Sequence, residues 1–153
     1  MLNRVIGVVW HVSAKVALSI HARWLPSYSW RVRALVVANG SILLVRHVGK
    51  EEWNLPGGGI EPHESPQAAL QRELYEELQL SISPAMKFIT TVTTQRRKYR
   101  SWHKCFLVEL PDRCTVSFNP MELRAADWFG LSQLPEPTAP LVHEVLKKAD
   151  YRP

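Results

Sequence analysis

Apolar and polar positions along the chain predict a mixture of strands and helices. The first two predicted strands flank Asn39-Gly40, a dipeptide typical of a tight turn between antiparallel strands. Further strands are predicted over 87–95, 102–110 and 125–130, and a closing helix over 141–149. Because strands and helices do not alternate regularly, the order favours an α+β fold or an α/β/α sandwich over a doubly wound parallel sheet.

Another helix is predicted directly after the glycine-rich loop at 57–59. Ser65-Pro66 marks its start, because serine caps helix N-termini and proline is tolerated in the first helical turn. Leu70, Leu74 and Leu78 recur at four-residue intervals and form an apolar stripe that should face the core. The rest of the helix surface is therefore available for polar chemistry.

Residues 1–30 are interpreted as an extension, and the main domain is predicted to span 31–153. The apolar positions over 2–20 follow helical spacing, so we expect an amphipathic helix that packs on the domain. A helix lying on a membrane surface or on a partner subunit is the alternative. His11 and Lys15 interrupt the apolar stretch, which argues against a signal peptide, and the stretch is too short to span a bilayer.

Length and charge narrow the class of protein. A chain of 153 residues suits one ordinary domain with a buried core. Its formal charge of +5 favours anionic partners such as phosphate esters, nucleic acid or lipid head groups. Cys105 and Cys114 lack C-x-x-C spacing and fit unpaired thiols in a reducing compartment, so a cytoplasmic location is expected.

Three glutamates share one face of the predicted central helix. Glu73, Glu76 and Glu77 are spaced i, i+3 and i+4, so their like charges repel unless a cation lies among them. Oxygen ligands without histidine or cysteine suit a hard ion such as Mg²⁺ or Mn²⁺. Arg72 can neutralise one of these carboxylates, and the glycine loop can point a carbonyl at the same ion. The cluster therefore predicts metal-assisted attack of water at phosphorus.

The stretch 58–80 resembles the Nudix box, G-x5-E-x7-R-E-U-x-E-E-x-G-U, where U is a bulky aliphatic residue. The matching positions are Gly58, Glu64, Arg72, Glu73, Leu74, Glu76, Glu77 and Leu80. Gln79 stands where the box has glycine, and since that glycine usually ends the helix in a left-handed conformation, glutamine is expected to cost about 1 kcal/mol there. Flanking residues at 53–57, 128–129 and 134–135 extend the resemblance over about 31–149.

The resemblance implies a fold, a reaction and a cofactor. Nudix proteins are α/β/α sandwiches with a mixed sheet, and most hydrolyse a nucleoside diphosphate linked to another group. Water attacks a phosphorus atom and breaks the pyrophosphate linkage, assisted by one to several Mg²⁺ or Mn²⁺ ions. The expected substrate is therefore a small nucleotide or nucleotide conjugate.

The resemblance also implies residue roles. Arg72 would orient Glu73, Gly58 and Glu64 would support the loop, and the general base would be Glu73 or Glu122, which lies six residues before Trp128. The implied metal ligands are the Gly57 carbonyl and the carboxylates of Glu73, Glu76 and Glu77. The implied catalytic set is Arg72, Glu73, Glu76 and Glu122.

The box does not name the substrate. The basic stretch at 96–104 is interpreted either as a charged hairpin tip or as a contact for phosphate or RNA, with Tyr99 and Trp102 available to stack on a base. Alternative functions are hydrolysis at RNA 5′ ends and a Nudix-fold module that binds a nucleotide without cleaving it. A homodimer is left open, and membrane association is not expected. The candidate substrate-binding residues are Arg46, Trp53, Arg97 and Tyr99.

Overall fold

One mixed five-stranded sheet forms the centre of the protein in a computed structural model that describes residues 28–83, 86–96 and 98–151. The helix predicted over the first twenty residues and Arg97 lie outside these ranges. The strands are β1 (Tyr28–Ala38), β2 (Ser41–His47), β3 (Lys87–Arg96), β4 (Tyr99–Glu109) and β5 (Leu123–Gly130). They lie in the order β3-β4-β1-β2-β5, and only β1 and β4 are parallel neighbours.

The predicted hairpin at Asn39-Gly40 is confirmed. Both turn residues have positive φ, 48° and 70°, as a type I′ turn between antiparallel strands requires. The turn sets β2 beside β1, with Val37 opposite Ile42. β1 starts at Tyr28, three residues before the predicted domain boundary.

The central helix is also confirmed, as α1 (Pro66–Leu78). The Ser65 hydroxyl accepts a hydrogen bond from the Ala68 backbone N–H at 3.1 Å, so serine caps the helix as predicted. At the other end, Gln79 adopts the left-handed conformation (φ 55°, ψ 24°) that the glycine of the box would take. Its backbone N–H donates to the carbonyl of Tyr75 at 2.9 Å, which ends the helix in an ordered turn.

In the part of the chain that the structure describes, one helix covers each face of the sheet, so the α/β/α sandwich is confirmed. Alternate residues of β1 point to opposite faces. Val32, Ala34 and Val36 are buried with the leucine stripe of α1. Leu35 and Val37 are buried on the other face with the apolar side of α2 (Pro140–Lys148), the predicted closing helix. Two apolar layers therefore hold the sheet between α1 and α2.

Arg31 and Arg33 share the α2 side of β1 with Leu35 and Val37 but precede the part that α2 packs against. At this end of the sheet the polar side chains line a cleft instead of a core. Both cysteines are free thiols, as predicted. No helix within the described ranges is long and apolar enough to cross a membrane.

Candidate functional site

A cleft of about 800 Å³ lies between the glycine loop, α1 and the ends of β1, β3 and β4. One wall carries acidic groups, including Glu73 and Glu77 of α1, and Glu122 lies at its edge. The other wall carries basic and hydroxyl groups of the sheet. These are Arg31, Arg33, Thr94, Arg96, Ser101 and His103. The cleft therefore brings together Glu73 and Glu122, two of the four predicted catalytic residues, and a set of cations that the sequence did not place.

The glycine loop is held against the free edge of β1 by backbone hydrogen bonds. The Val32 N–H donates to the Gly58 carbonyl at 2.9 Å, and the Ile60 N–H donates to the Trp30 carbonyl at 3.1 Å. Gly57 has φ +124°, and a Cβ on it would lie 2.4 Å from the Val32 carbonyl oxygen. A Cβ on Gly58 would lie 2.4 Å from the Glu73 carboxylate. The loop therefore needs glycine at Gly57, where the clash is with backbone, whereas a side chain at Gly58 would displace the Glu73 carboxylate.

Arg72 links this loop to the acidic face of α1. Its Nε and Nη2 donate to the two carboxylate oxygens of Glu64, each at 2.9 Å, and Nη2 also donates to the Gly59 carbonyl at 3.0 Å. Its Nη1 donates to Glu73 at 3.0 Å and to Glu76 at 3.2 Å. The bidentate pair with Glu64 lowers the pKa of that carboxyl. Arg72 therefore holds Glu73 in a fixed position relative to the loop.

Glu73 is a carboxyl group in a setting that disfavours its charge. Burial raises the pKa of Glu73, the hydrogen bond from Arg72 opposes that change, and the nearby Glu77 and Glu76 raise it further. Glu76 is the more exposed of the implied ligands, with 54% of its side chain accessible. A cation beside these groups would offset both the cost of burying the Glu73 charge and the repulsion between the carboxylates.

Glu77 is buried, with only 3% of its surface exposed, and both of its carboxylate oxygens are bonded. Oε1 lies 2.9 Å from Nε2 of His47, and Oε2 accepts from the Gly57 N–H at 2.9 Å. Sequence reasoning gave His47 no role, because its spacing matches no ligand motif. The feature that could have identified His47 is its position at the end of β2, the last strand before the glycine loop.

Arg33 is the second residue that the sequence did not single out. It is buried, and its Nη1 donates to the carbonyls of Leu55 and Gly57. Burial, and next the charge of Arg31, lower the pKa of Arg33 to about 10. The Gly57 carbonyl, implied as a metal ligand, thus faces a guanidinium in this conformation.

The implied metal ligands are held by protein donors. Within the described ranges, no three His, Cys, Asp or Glu side chains lie close enough together to hold a metal ion. Arg72 instead binds Glu73 and Glu76, while His47 and the Gly57 N–H bind Glu77. The donor chemistry nevertheless fits a hard divalent cation, because it consists of carboxylate oxygens on one helix face with a backbone carbonyl beside them.

Two of the candidate substrate-binding residues pack together outside the lining of the cleft. The guanidinium carbon of Arg46 lies 5.0 Å from the ring centroid of Trp53. The other contact of Trp53 is edge-on with Phe129, at 4.8 Å between centroids. Arg46 and Trp53 therefore pack against each other in this structure, and their predicted contact with substrate stays a prediction.

The basic hairpin is divided between the two faces of the sheet. Arg96 lines the cleft, whereas Tyr99 lies beyond the lining, with Lys98 over its ring at 5.8 Å. Trp102, expected to be available for a base, stacks on Trp30 at 5.2 Å between centroids. Because Trp102 and His103 are adjacent in β4, this aromatic pair lies on the face opposite the cleft.

Comparison with known proteins identifies the family. The model of the NUDIX domain matches residues 28–149. The chain belongs to the Nudix family. The resemblance of the stretch 58–80 to the Nudix box is thereby confirmed, and Gln79 is a variation within a family member.

Curated relatives of this Nudix protein match a limited stretch. The RNA pyrophosphohydrolase of Proteus mirabilis is 47% identical over 49 residues, which are 31% of this chain and 28% of that protein. The RNA pyrophosphohydrolase of Halorhodospira halophila is 40% identical over 68 residues, which are 43% of this chain and 36% of that protein. The chain therefore matches about a third of the length of these relatives.

Solved structures agree with the fold. The MutT Nudix hydrolase from Burkholderia pseudomallei has a TM-score of 0.73 at 23% identity, covering 79% of this chain and 97% of that one. The Nudix domain of Shewanella oneidensis NrtR, solved with ADP ribose, has a TM-score of 0.69 at 18% identity, covering 84% of this chain and 90% of that one. At these identities the likeness concerns the fold alone.

Proposed function

We propose that this Nudix protein is a metal-dependent pyrophosphohydrolase that cleaves a nucleoside diphosphate linked to another group. The observation that carries the proposal is the Arg72 network, in which one guanidinium binds Glu64, Glu73 and Glu76 and the Gly59 carbonyl. That network holds the Glu73 carboxylate against a glycine loop in a nucleotide-sized cleft, which supports a catalytic role for this group.

Glu73, Glu76 and Glu77, with the Gly57 carbonyl, would hold Mg²⁺ or Mn²⁺. The bound ion would polarise phosphate oxygens and lower the pKa of a coordinated water. Arg72 keeps Glu73 and Glu76 oriented, and His47 does the same for Glu77. Because these contacts already restrict the three carboxylates, little side-chain freedom would be lost when a cation binds.

Glu73 is our candidate for the general base. Burial raises its pKa, and a carboxylate with a raised pKa accepts a proton from water more readily than an ordinary one. Glu122 also lines the cleft and is the alternative base. The proton taken by either glutamate would leave the site with the solvent after the phosphorus–oxygen bond breaks.

A second candidate substrate is the 5′ end of RNA. It is favoured by the exposed cations of the β3–β4 hairpin, where Arg96 lines the cleft and Lys98 and Arg100 are exposed beyond its lining. The names of the partial relatives point the same way. A module that binds without cleaving would have no need of the complete acid set and its arginine, so we place it last.

A substrate panel with matched variants tests the proposal. The wild-type protein with Mg²⁺ or Mn²⁺ should hydrolyse at least one of nucleoside triphosphates, nucleotide sugars, ADP-ribose, dinucleoside polyphosphates and triphosphorylated RNA. Glu73→Gln should lower kcat by roughly 10²–10⁴-fold. Glu76→Gln should abolish turnover. Glu144→Gln, on the exposed side of α2, removes the same charge and should leave turnover unchanged. A wild-type protein inactive on every substrate with both metals would refute the proposal.

A further inference from the structure

The basic wall of the cleft contains polar nitrogens that lack a hydrogen-bond partner. Among the described residues, these include Nε of Arg31, Nε of Arg33 and Nδ1 of His103. Arg33 and His103 are each only 6% exposed, so solvent does not readily supply the missing partners. Arg31 lies directly opposite His103 in the β1–β4 pairing, which places the side chains of both on the cleft face. Three unpartnered nitrogens thus lie within the residues of one patch of the wall.

The patch also carries positive charge without a counterion. Within the described ranges, the ion pairs involve neither Arg31, Arg33 nor Arg96. Burial, and then the charges of Arg33 and Arg31, lower the pKa of His103 to about 4. The imidazole is therefore neutral near pH 7, with its Nε2 at 2.9 Å from the Thr94 hydroxyl. Arg33 is the buried one of these arginines, and because a buried cation outside an ion pair is costly, an anion bound here would offset that cost.

The patch adjoins the acidic wall. Arg33 donates to the Gly57 carbonyl, and its charge is within electrostatic reach of both Glu77 and Glu73. A substrate held by a cation at those glutamates would therefore present its next group to Arg31, Arg33 and His103. Guanidinium groups match the geometry of phosphate oxygens, and the neutral ring can contribute one further hydrogen bond.

We propose that Arg31, Arg33 and His103 form an anion subsite that binds a phosphate group of the substrate next to the linkage that is cleaved. The proposal rests on the proposed function and specifies its substrate class. The group attached to the nucleoside diphosphate carries a phosphate, as in nucleoside triphosphates, dinucleoside polyphosphates or triphosphorylated RNA. Conjugates in which a neutral sugar occupies this position would be poor substrates.

Binding of inorganic phosphate and pyrophosphate to the metal-free full-length protein tests the subsite without turnover. Calorimetry in EDTA should show binding to the wild type, and Arg31→Gln and His103→Gln should each weaken it about tenfold, the effect of losing one charge-assisted hydrogen bond. His103→Gln retains an amide that can reach Thr94 but has no counterpart of Nδ1. Lys104→Gln is the matched control, because it removes a cation from the neighbouring position on the opposite face, where Lys104 lies over Trp30.

A second measurement needs no variant that could fail to fold. The imidazole pKa of His103, followed by NMR, should rise from about 4 when phosphate is added, because a neighbouring anion favours the protonated ring. The groups that face this ring are Arg31 and Arg33 of β1 and Thr94 of β3. Phosphate that leaves this pKa unchanged, or binds equally to Arg31→Gln and Lys104→Gln, would overturn the subsite.

The outcomes separate the subsite from the proposed function. Glu76→Gln should lose turnover and keep its phosphate affinity. A wild-type protein that binds phosphate at His103 but hydrolyses nothing would refute the hydrolase alone. An active wild type whose KM for a nucleoside triphosphate is the same in Arg31→Gln would refute the subsite alone, because the substrate would then make no contact with Arg31.

Discussion

Gln79 ends α1 with φ 55° and ψ 24°, a left-handed conformation that glycine adopts without strain and other L-residues adopt at a cost. The side chain is exposed, so replacing it removes little packing. We expect Gln79→Gly to raise the free energy of unfolding by about 1 kcal/mol, measured by urea denaturation. Gln79→Ala retains a Cβ and should give no such gain. A glycine variant no more stable than the alanine variant would mean that the turn carries no strain.

The residues of the site that could be predicted from the sequence are those whose contacts are local. Arg72, Glu73 and Glu76 meet because they lie within one helical turn, which the spacing alone shows. His47 and Glu77 are 30 positions apart, and Arg33 and Gly57 are 24 apart. Their contacts depend on how β1 and β2 lie beside the loop, which apolar periodicity does not specify. Trp102 was likewise placed correctly in a strand, but its contact with Trp30 follows from the β1–β4 register.

At the scale of elements, the glycine loop and α1 act as one unit through Gly58. A Cβ at this position would lie 2.4 Å from the Glu73 carboxylate, the flexible end of a side chain that can move aside. A Cβ on Gly59 would meet nothing within 4 Å. We therefore expect Gly58→Ala to fold while displacing Glu73 and to lower kcat by roughly a hundredfold. Gly59→Ala is the matched control and should retain near wild-type kcat and thermal stability.

The comparison of Gly58→Ala with Gly59→Ala also tests which glutamate is the general base. If Gly58→Ala is as active as Gly59→Ala, the position of Glu73 fixed by Arg72 is not the reacting one, and the general base is better sought at Glu122. The two glycines are neighbours in one loop, so a difference between their alanine variants reports on the contact with α1 and not on loop composition.

Over the whole molecule, charge is arranged in two opposed walls around one cleft. α1 and the loop before it supply carboxylates and backbone groups, while β1 and β3 supply arginines and β4 supplies Ser101 and the neutral His103. The sandwich makes this arrangement possible, because α2 covers the middle of one sheet face and leaves the end of β1 open. The sequence predicts the acidic wall from its motif. The basic wall comes from the β3–β4 hairpin and from β1, which is distant in the chain, and the pairing of β1 with β4 brings Arg31 together with Arg96 and His103.

The size of the substrate determines whether cations beyond the cleft contribute to binding. A cleft of about 800 Å³ suits a nucleotide, whereas the next residues of an RNA strand would pass the exposed Lys98 and Arg100. If RNA is the substrate, a triphosphorylated pentanucleotide should show a steeper dependence of log affinity on log salt than a nucleoside triphosphate. Two extra phosphate contacts correspond to a difference in slope of about 1.4. Binding is measured with Glu76→Gln, so that no turnover intervenes.

A charge-matched pair of double variants locates the extra contacts. Removing Lys98 and Arg100 together should reduce the pentanucleotide slope to that of the nucleoside triphosphate. Removing Lys147 and Lys148, which are exposed at the end of α2, lowers the net charge by the same two units and should leave the difference in place. Equal slopes for the two ligands in the protein with all four cations would mean that only the 5′ phosphates are held. Such a result would favour a small nucleotide as the substrate, because RNA would gain nothing from the rest of the molecule.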